Sequence, residues 1–153
     1  MRHNASKHPT PGLALATLLA MAALPADAQE QAIARTPDDP AIAWGGCPDF
    51  MPEGCEIGVL HGNPAEPNAD IFFRVPGGAE VARHWHHSPE RMVLVTGELR
   101  VTYDGQDPVV LTPRSYAYGP AERPHSATCL SAAPCTLFIA FVDPLDAMQG
   151  APD

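Results

Sequence analysis

The sequence predicts an all-β domain, a sandwich or barrel of about nine short strands. Three observations predict it. Short apolar or alternating runs recur between turn residues along most of the chain. The 153 residues include 18 Pro and 12 Gly, which favours many short connections over long helices. Beyond the N-terminal segment, no window sustains the 3.6-residue period of an amphipathic helix. The apolar fraction of 45% is that of a globular chain, and the length allows one domain. A formal net charge of −9 argues against nucleic acid as a partner and against attraction to an anionic membrane.

Taken in order, residues 1–28 read as a secretory signal. Arg2 and Lys7 give a short basic start, Leu13 to Leu24 an apolar run, and Ala26-Asp27-Ala28 a small-x-small pattern. Cleavage is expected between Ala28 and Gln29, which places the mature chain in the periplasm or outside the cell. The apolar run is shorter than the ~20 residues that span a bilayer, so no stable membrane anchor is expected. Lys7 is the only Lys, so none remains after cleavage for Schiff-base chemistry. Residues 29–45 are rich in Ala, Pro, Asp and Gln and read as a mobile leader. The folded domain is expected over 46–145, with a tail over 146–153. Residues 144–153 are expected as a loop or one helical turn.

Strands are predicted at Glu56–Leu60, Ile71–Val75, Glu80–His86, Arg91–Thr96, Glu98–Tyr103, Pro108–Leu111, Ser115–Tyr118, Ser126–Cys129 and Thr136–Val142. Pro76-Gly77-Gly78, Thr96-Gly97 and Asp104-Gly105 punctuate them, because positive φ costs Gly nothing and Asp tolerates it. Phe72, Phe73, Val93, Val95, Leu99, Val101, Phe138, Ala140 and Val142 are expected in the core or an interface.

The four Cys fall in two close pairs. Cys47 and Cys55 bracket PDFMPEG, and Cys129 and Cys135 bracket LSAAP. In an exported chain the expected pairing is Cys47–Cys55 and Cys129–Cys135, each disulfide contributing about 2–3 kcal/mol. A four-thiolate zinc site is the rival, and neither pair has its usual two-residue spacing.

The residues that carry chemistry lie between Gly78 and Glu90. Strand alternation projects His84 and His86 together, with Trp85 and His87 facing the other way. Ser88-Pro89 turns the chain, and Glu90 opens the next strand, which returns a carboxylate to the imidazoles. Two imidazoles and a carboxylate suit one divalent Fe, Mn, Zn, Ni or Cu ion. His125, after Pro124, is the candidate fourth ligand. His61, near a turn, is expected to stay outside the site. Trp85 is expected in packing, and Tyr103, Tyr116 and Tyr118 with solvated hydroxyls.

This segment resembles the first motif of the cupin superfamily, G(X)5HXH(X)3–4E(X)6G. Gly78, His84, His86, Glu90 and Gly97 fill every fixed position. The second motif, G(X)5PXG(X)2H(X)3N, is matched in part. Pro120 and His125 are in place, whereas Arg114, Glu122 and Cys129 stand where Gly, Gly and Asn are expected. The resemblance spans about residues 57–142. It implies a double-stranded β-helix, or jelly-roll barrel, with one divalent metal held by His84, His86, Glu90 and His125. It also implies weakened backbone geometry near Arg114 and Glu122, and it allows a homodimer. Two functions follow as expectations. One is an exported metal-dependent enzyme of dioxygenase type, in which Glu90 shifts and takes a proton from a small-molecule substrate. The alternative is a non-catalytic module that binds or senses a small molecule or metal, similar to the cupin domains of zinc-binding anti-sigma factors.

Overall fold

The computed structural model describes residues 30–152, and the expected signal segment lies outside the described residues. Residues from Ala34 onward form one compact unit that holds every described strand. The strands are β1 Trp44–Gly46, β2 Glu56–His61, β3 Asp70–Val75, β4 Glu80–Trp85, β5 Glu90–Thr96, β6 Leu99–Tyr103, β7 Val109–Leu111, β8 Tyr116–Gly119, β9 His125–Cys129, β10 Cys135–Phe141 and β11 Met148–Gln149. There is no helix among the described residues. Two antiparallel sheets form, ordered β1-β2-β3-β10-β5-β8 and β11-β4-β9-β6-β7. This all-β jelly roll is the predicted class.

Two strands fall where none was expected. Trp44 to Gly46, at the end of the expected leader, pairs with β2. Trp44 stacks on Phe72 with centroids 6.5 Å apart, and the Arg74 guanidinium lies 3.7 Å from the Trp44 ring centroid. That aromatic and cation–π contact fixes a segment whose composition reads as linker. The tail corrects the expectation of a loop or helical turn over 144–153. Met148 and Gln149 pair with Trp85 and His84, adding an edge strand to β4.

Alternation decides the core. On β5 and β10, Met92, Leu94, Leu137, Ile139 and Phe141 point inward and are buried. Leu137 faces Leu94 across the ladder, and Ile139 faces Met92. Val93, Val95, Phe138 and Ala140 take the opposite parity and are only half-buried, as is Val142. Phe72 also has the outer parity, but Trp44 covers it.

A bulge in β4 sets which of its side chains face inward. Val81 pairs with Ala127 and His84 with His125, so β4 spends three residues where β9 spends two. Without the extra residue Arg83 would share the inward face of Val81. With it, His84 turns inward and Arg83 is exposed, bonded to Asp104 and to the Gly150 carbonyl.

The turns keep left-handed backbone even where the motif glycines are missing. Arg114 has φ 78° and Glu122 φ 57°, so the geometry expected to weaken there persists with side chains attached. Gly97 is different, because at φ 85° an added Cβ would lie 2.7 Å from the Cys135 Sγ. Both disulfides are formed in the expected pairing, Cys47–Cys55 with Cα atoms 5.6 Å apart and Cys129–Cys135 with 5.7 Å.

Candidate metal centre

His84 lies in β4 just behind the bulge, His86 follows the end of β4, Glu90 opens β5 and His125 opens β9. All four are buried, between 4% and 7% exposed. The structure therefore brings together all four residues singled out by spacing and resemblance. Ligand atoms of His84, His86 and His125 lie within 4.8 Å of one another. Glu90 Oε1 is 3.4 Å from His86 Nε2, and Glu90 Oε2 is 3.5 Å from His125 Nε2.

The tautomers follow from the backbone. His84 Nδ1–H donates to the Ala82 carbonyl at 2.7 Å, and His125 Nδ1–H to the Arg123 carbonyl at 3.1 Å. His86 Nδ1–H donates to the Asp146 carbonyl. A carbonyl can only accept, so each Nδ1 carries the proton and each Nε2 keeps its lone pair. Burial pushes His84 down to about 3, helped by the His125 and His86 charges and opposed by the Ala82 hydrogen bond. Burial also lowers His125, against the pull of Glu90. Both imidazoles are thus neutral donors at neutral pH.

His86 Nε2 and Glu90 Oε2 are buried without a hydrogen-bond partner. Each such group costs about 1–3 kcal/mol unless something satisfies it. Neutral imidazole nitrogens facing a carboxylate are a donor set that a divalent cation satisfies, so the residues fit the metal implied by the sequence.

Three features near the centre were not legible in the sequence. The Tyr103 hydroxyl, expected to be solvated, is buried and unpartnered, and burial followed by the Glu90 charge raises its pKa. Its ring lies 5.1 Å from that of His125. Asp146 acts through both its ends. Its carbonyl holds His86, while its carboxylate accepts from the His87 backbone at 3.1 Å and from the His87 ring. Finally, the Cys47–Cys55 loop supplies Pro48 and Met51 to a cavity of about 200 Å³ above the centre. His84, His86 and Glu90 form its polar floor, and Leu145, just before the tail, lines its rim. The periodicity of a strand says nothing about contacts made by irregular segments so far away in sequence.

The remaining candidates lie elsewhere. His87 is exposed, as its parity predicted. Trp85 is buried. His61 ends β2 and is not one of the three clustered imidazoles. Tyr116 and Tyr118 are exposed.

Comparison with known proteins agrees with this geometry. Residues 71–141 match the family model of the cupin domain. No curated protein matches the chain. The fold is similar to the DMSP lyase DddQ from Ruegeria pomeroyi DSS-3, with a TM-score of 0.61 and 19% identity over 73% of this chain and 62% of that one. It is similar to an RmlC-like cupin from Shewanella frigidimarina NCIMB 400, with a TM-score of 0.52 and 26% identity over 60% of this chain and 78% of that one. It is also similar to a variant of Bacillus subtilis oxalate decarboxylase OxdC, with a TM-score of 0.55 and 19% identity over 64% of this chain and 28% of that one. The chain spans about three fifths of the length of the DMSP lyases it matches. The family match over residues 71–141, the two-sheet jelly roll and a cupin among its structural neighbours together show that this chain carries a cupin domain.

Proposed function

We propose that the chain is an exported, single-domain divalent-metal cupin that acts as an enzyme on a small molecule. One observation carries this: His84, His86 and Glu90, which with His125 form a set of mutually facing donors, make the floor of a cavity whose other walls, Asp146 apart, are hydrocarbon, and His86 Nε2 and Glu90 Oε2 are unpartnered. The Nε2 atoms of His84, His86 and His125 and a carboxylate oxygen of Glu90 would hold one Fe, Mn, Zn, Ni or Cu ion. Such an ion supplies Lewis acidity and, if redox-active, dioxygenase-type chemistry. Four protein ligands would leave a position for a substrate oxygen on an ion of higher coordination number. The apolar walls exclude water from that oxygen. Glu90 is the ligand able to accept a proton from the substrate, because the imidazoles are fixed by their Nδ1 bonds. The likeness to a lyase and a decarboxylase supports small-molecule chemistry at this fold.

Export is supported by two disulfides, which belong to oxidising compartments. Among the described residues no helix is long and apolar enough to cross a membrane. The half-buried outer face of β5 and β10, with Val93 and Phe138, is where a homodimer would form.

Metal content tests the proposal. Residues 29–153, purified from the periplasm without chelator, are expected to carry about one equivalent of metal by elemental mass spectrometry. His84→Ala and His125→Ala are expected to lose it, and His87→Ala to keep it. Equal content in all three variants overturns the assignment. One equivalent of zinc without turnover in oxygen-uptake and isomerase screens favours the binding module.

A further inference from the structure

We propose that the cavity above the His84, His86 and Glu90 floor takes a compact, hydrocarbon-rich molecule with a single oxygen donor, a one-ring phenol or aromatic alcohol. This rests on the reading of that floor as a metal site. Volume sets the size of the guest. The cavity measures about 200 Å³. An apolar cavity of about 150 Å³ accommodates benzene, so this one holds a single ring and a few further heavy atoms.

Polarity fixes the orientation. The walls are Met51, Ile57, Ile71, Phe73, Phe141 and Leu145, with no Arg or Lys among the lining residues. Asp146 also borders the cavity, but its carboxylate is committed to His87 and its carbonyl to His86. Free polarity is therefore confined to the floor. A second carboxylate on the guest would lie against hydrocarbon without a counter-charge, which is strongly unfavourable. The oxygen must sit at the floor and the ring must point towards Met51 and Leu145. There is no room for the reverse: the recess beyond the centre, beside Tyr103 and Val101, measures about 40 Å³, enough for a water or two.

Calorimetric titration of the exported chain tests this, with phenol, toluene and malonate as probes, in zinc-loaded and metal-free protein. Phenol is expected to bind the zinc-loaded protein at least tenfold more tightly than malonate. Toluene is expected to bind both forms alike, and the advantage of phenol over toluene is expected to vanish without zinc. Met51→Trp, at the partly exposed rim, is expected to weaken phenol and toluene at least tenfold with zinc content unchanged. Circular dichroism checks that this variant folds. Leu145→Trp gives a second rim filling should it not. Malonate binding as tightly as phenol, or rim substitutions without effect on a folded variant, overturns the proposal. The two readings fail separately. Toluene binding with no zinc uptake sinks the metal site and leaves the cavity, whereas zinc uptake with neither toluene nor phenol bound sinks the cavity alone.

Discussion

At the scale of single residues, the site depends on which atoms are already committed. Each Nδ1 of the three imidazoles is held by a backbone carbonyl, so the three Nε2 atoms face inward before any ion arrives. Gly119 protects the fourth ligand by leaving space. A Cβ there would lie 2.9 Å from the Tyr103 hydroxyl and 3.1 Å from Glu90 Oε2. Both are the far ends of side chains that can yield, so Gly119→Ala is expected to change the fold's stability little. It is expected to displace Glu90 and weaken metal binding about tenfold, the low end of the cost of disturbing ligand support. Competition against a zinc-responsive dye reads the affinity, and unchanged affinity would count against Glu90 as a ligand. Spacing in the sequence named His84, His86 and Glu90 as a converging set, and the cupin resemblance added His125 to it. It could not find Tyr103, because alternation gives a side chain's face and not whether water reaches its hydroxyl.

At the scale of elements, spacing and resemblance named four residues that do converge, although simple alternation along β4 was incomplete. His84 and Val81 share the inward face only because of the bulge, and nothing in the residue types marks that extra position. The nine predicted strands are all present because each is an apolar or alternating run bounded by turn residues. The two missed strands, β1 and β11, have three and two residues. Their conformation comes from pairing with β2 and β4 and not from local propensity. Asp146, in the segment leading into β11, supplies the carbonyl that orients His86. Removing residues 144–153 is expected to leave the barrel folded, since Ser88 Oγ still accepts from Val142 and Asp143. The same deletion is expected to lower metal affinity ten- to a hundredfold, the usual cost of losing an outer-shell partner. Undiminished affinity in the folded truncation would show that this segment does not position His86. The left-handed turns give an opposite test. At Arg114 and Glu122 a side chain costs about 1–2 kcal/mol in that region, while glycine costs about 0.5–1 kcal/mol in unfolded-chain entropy. Arg114→Gly and Glu122→Gly are therefore each expected to stabilise by about 0.5 kcal/mol, read from urea midpoints. Destabilisation by either would mean that its exposed side chain makes a contact worth more than the strain.

For the whole molecule, burying a cluster of imidazoles makes the metal-free fold sensitive to acid. Burial holds His84 at about 3 and also lowers His125, whereas in the unfolded chain both titrate near 6.5. Between those values the unfolded state binds more protons, so stability rises with pH. The contribution is complete above about pH 6.5 and is lost as pH falls towards the folded values. Asp39 and Asp104 act lower, below their ordinary 3.8, because the Ala41 amide and the Arg83 guanidinium hold them down. Metal-free protein is therefore expected to melt at a lower temperature at pH 5 than at pH 7.5, in a range where those two carboxylates are still ionised. A bound divalent ion stabilises the fold through the same imidazoles, and its contribution also rises with pH. At a hundredfold excess over its Kd it adds about 2.7 kcal/mol at pH 7.5, roughly 10 °C in a domain of this size. Acid erodes that gain further, because protons compete for the same Nε2 atoms. His84→Ala is expected to flatten the slope between pH 5 and 7.5 and to abolish the metal-induced shift together. Scanning calorimetry over that range checks both. A variant that keeps the full metal shift would show that the ion sits elsewhere, and an unchanged slope would show that the acid sensitivity belongs to other groups.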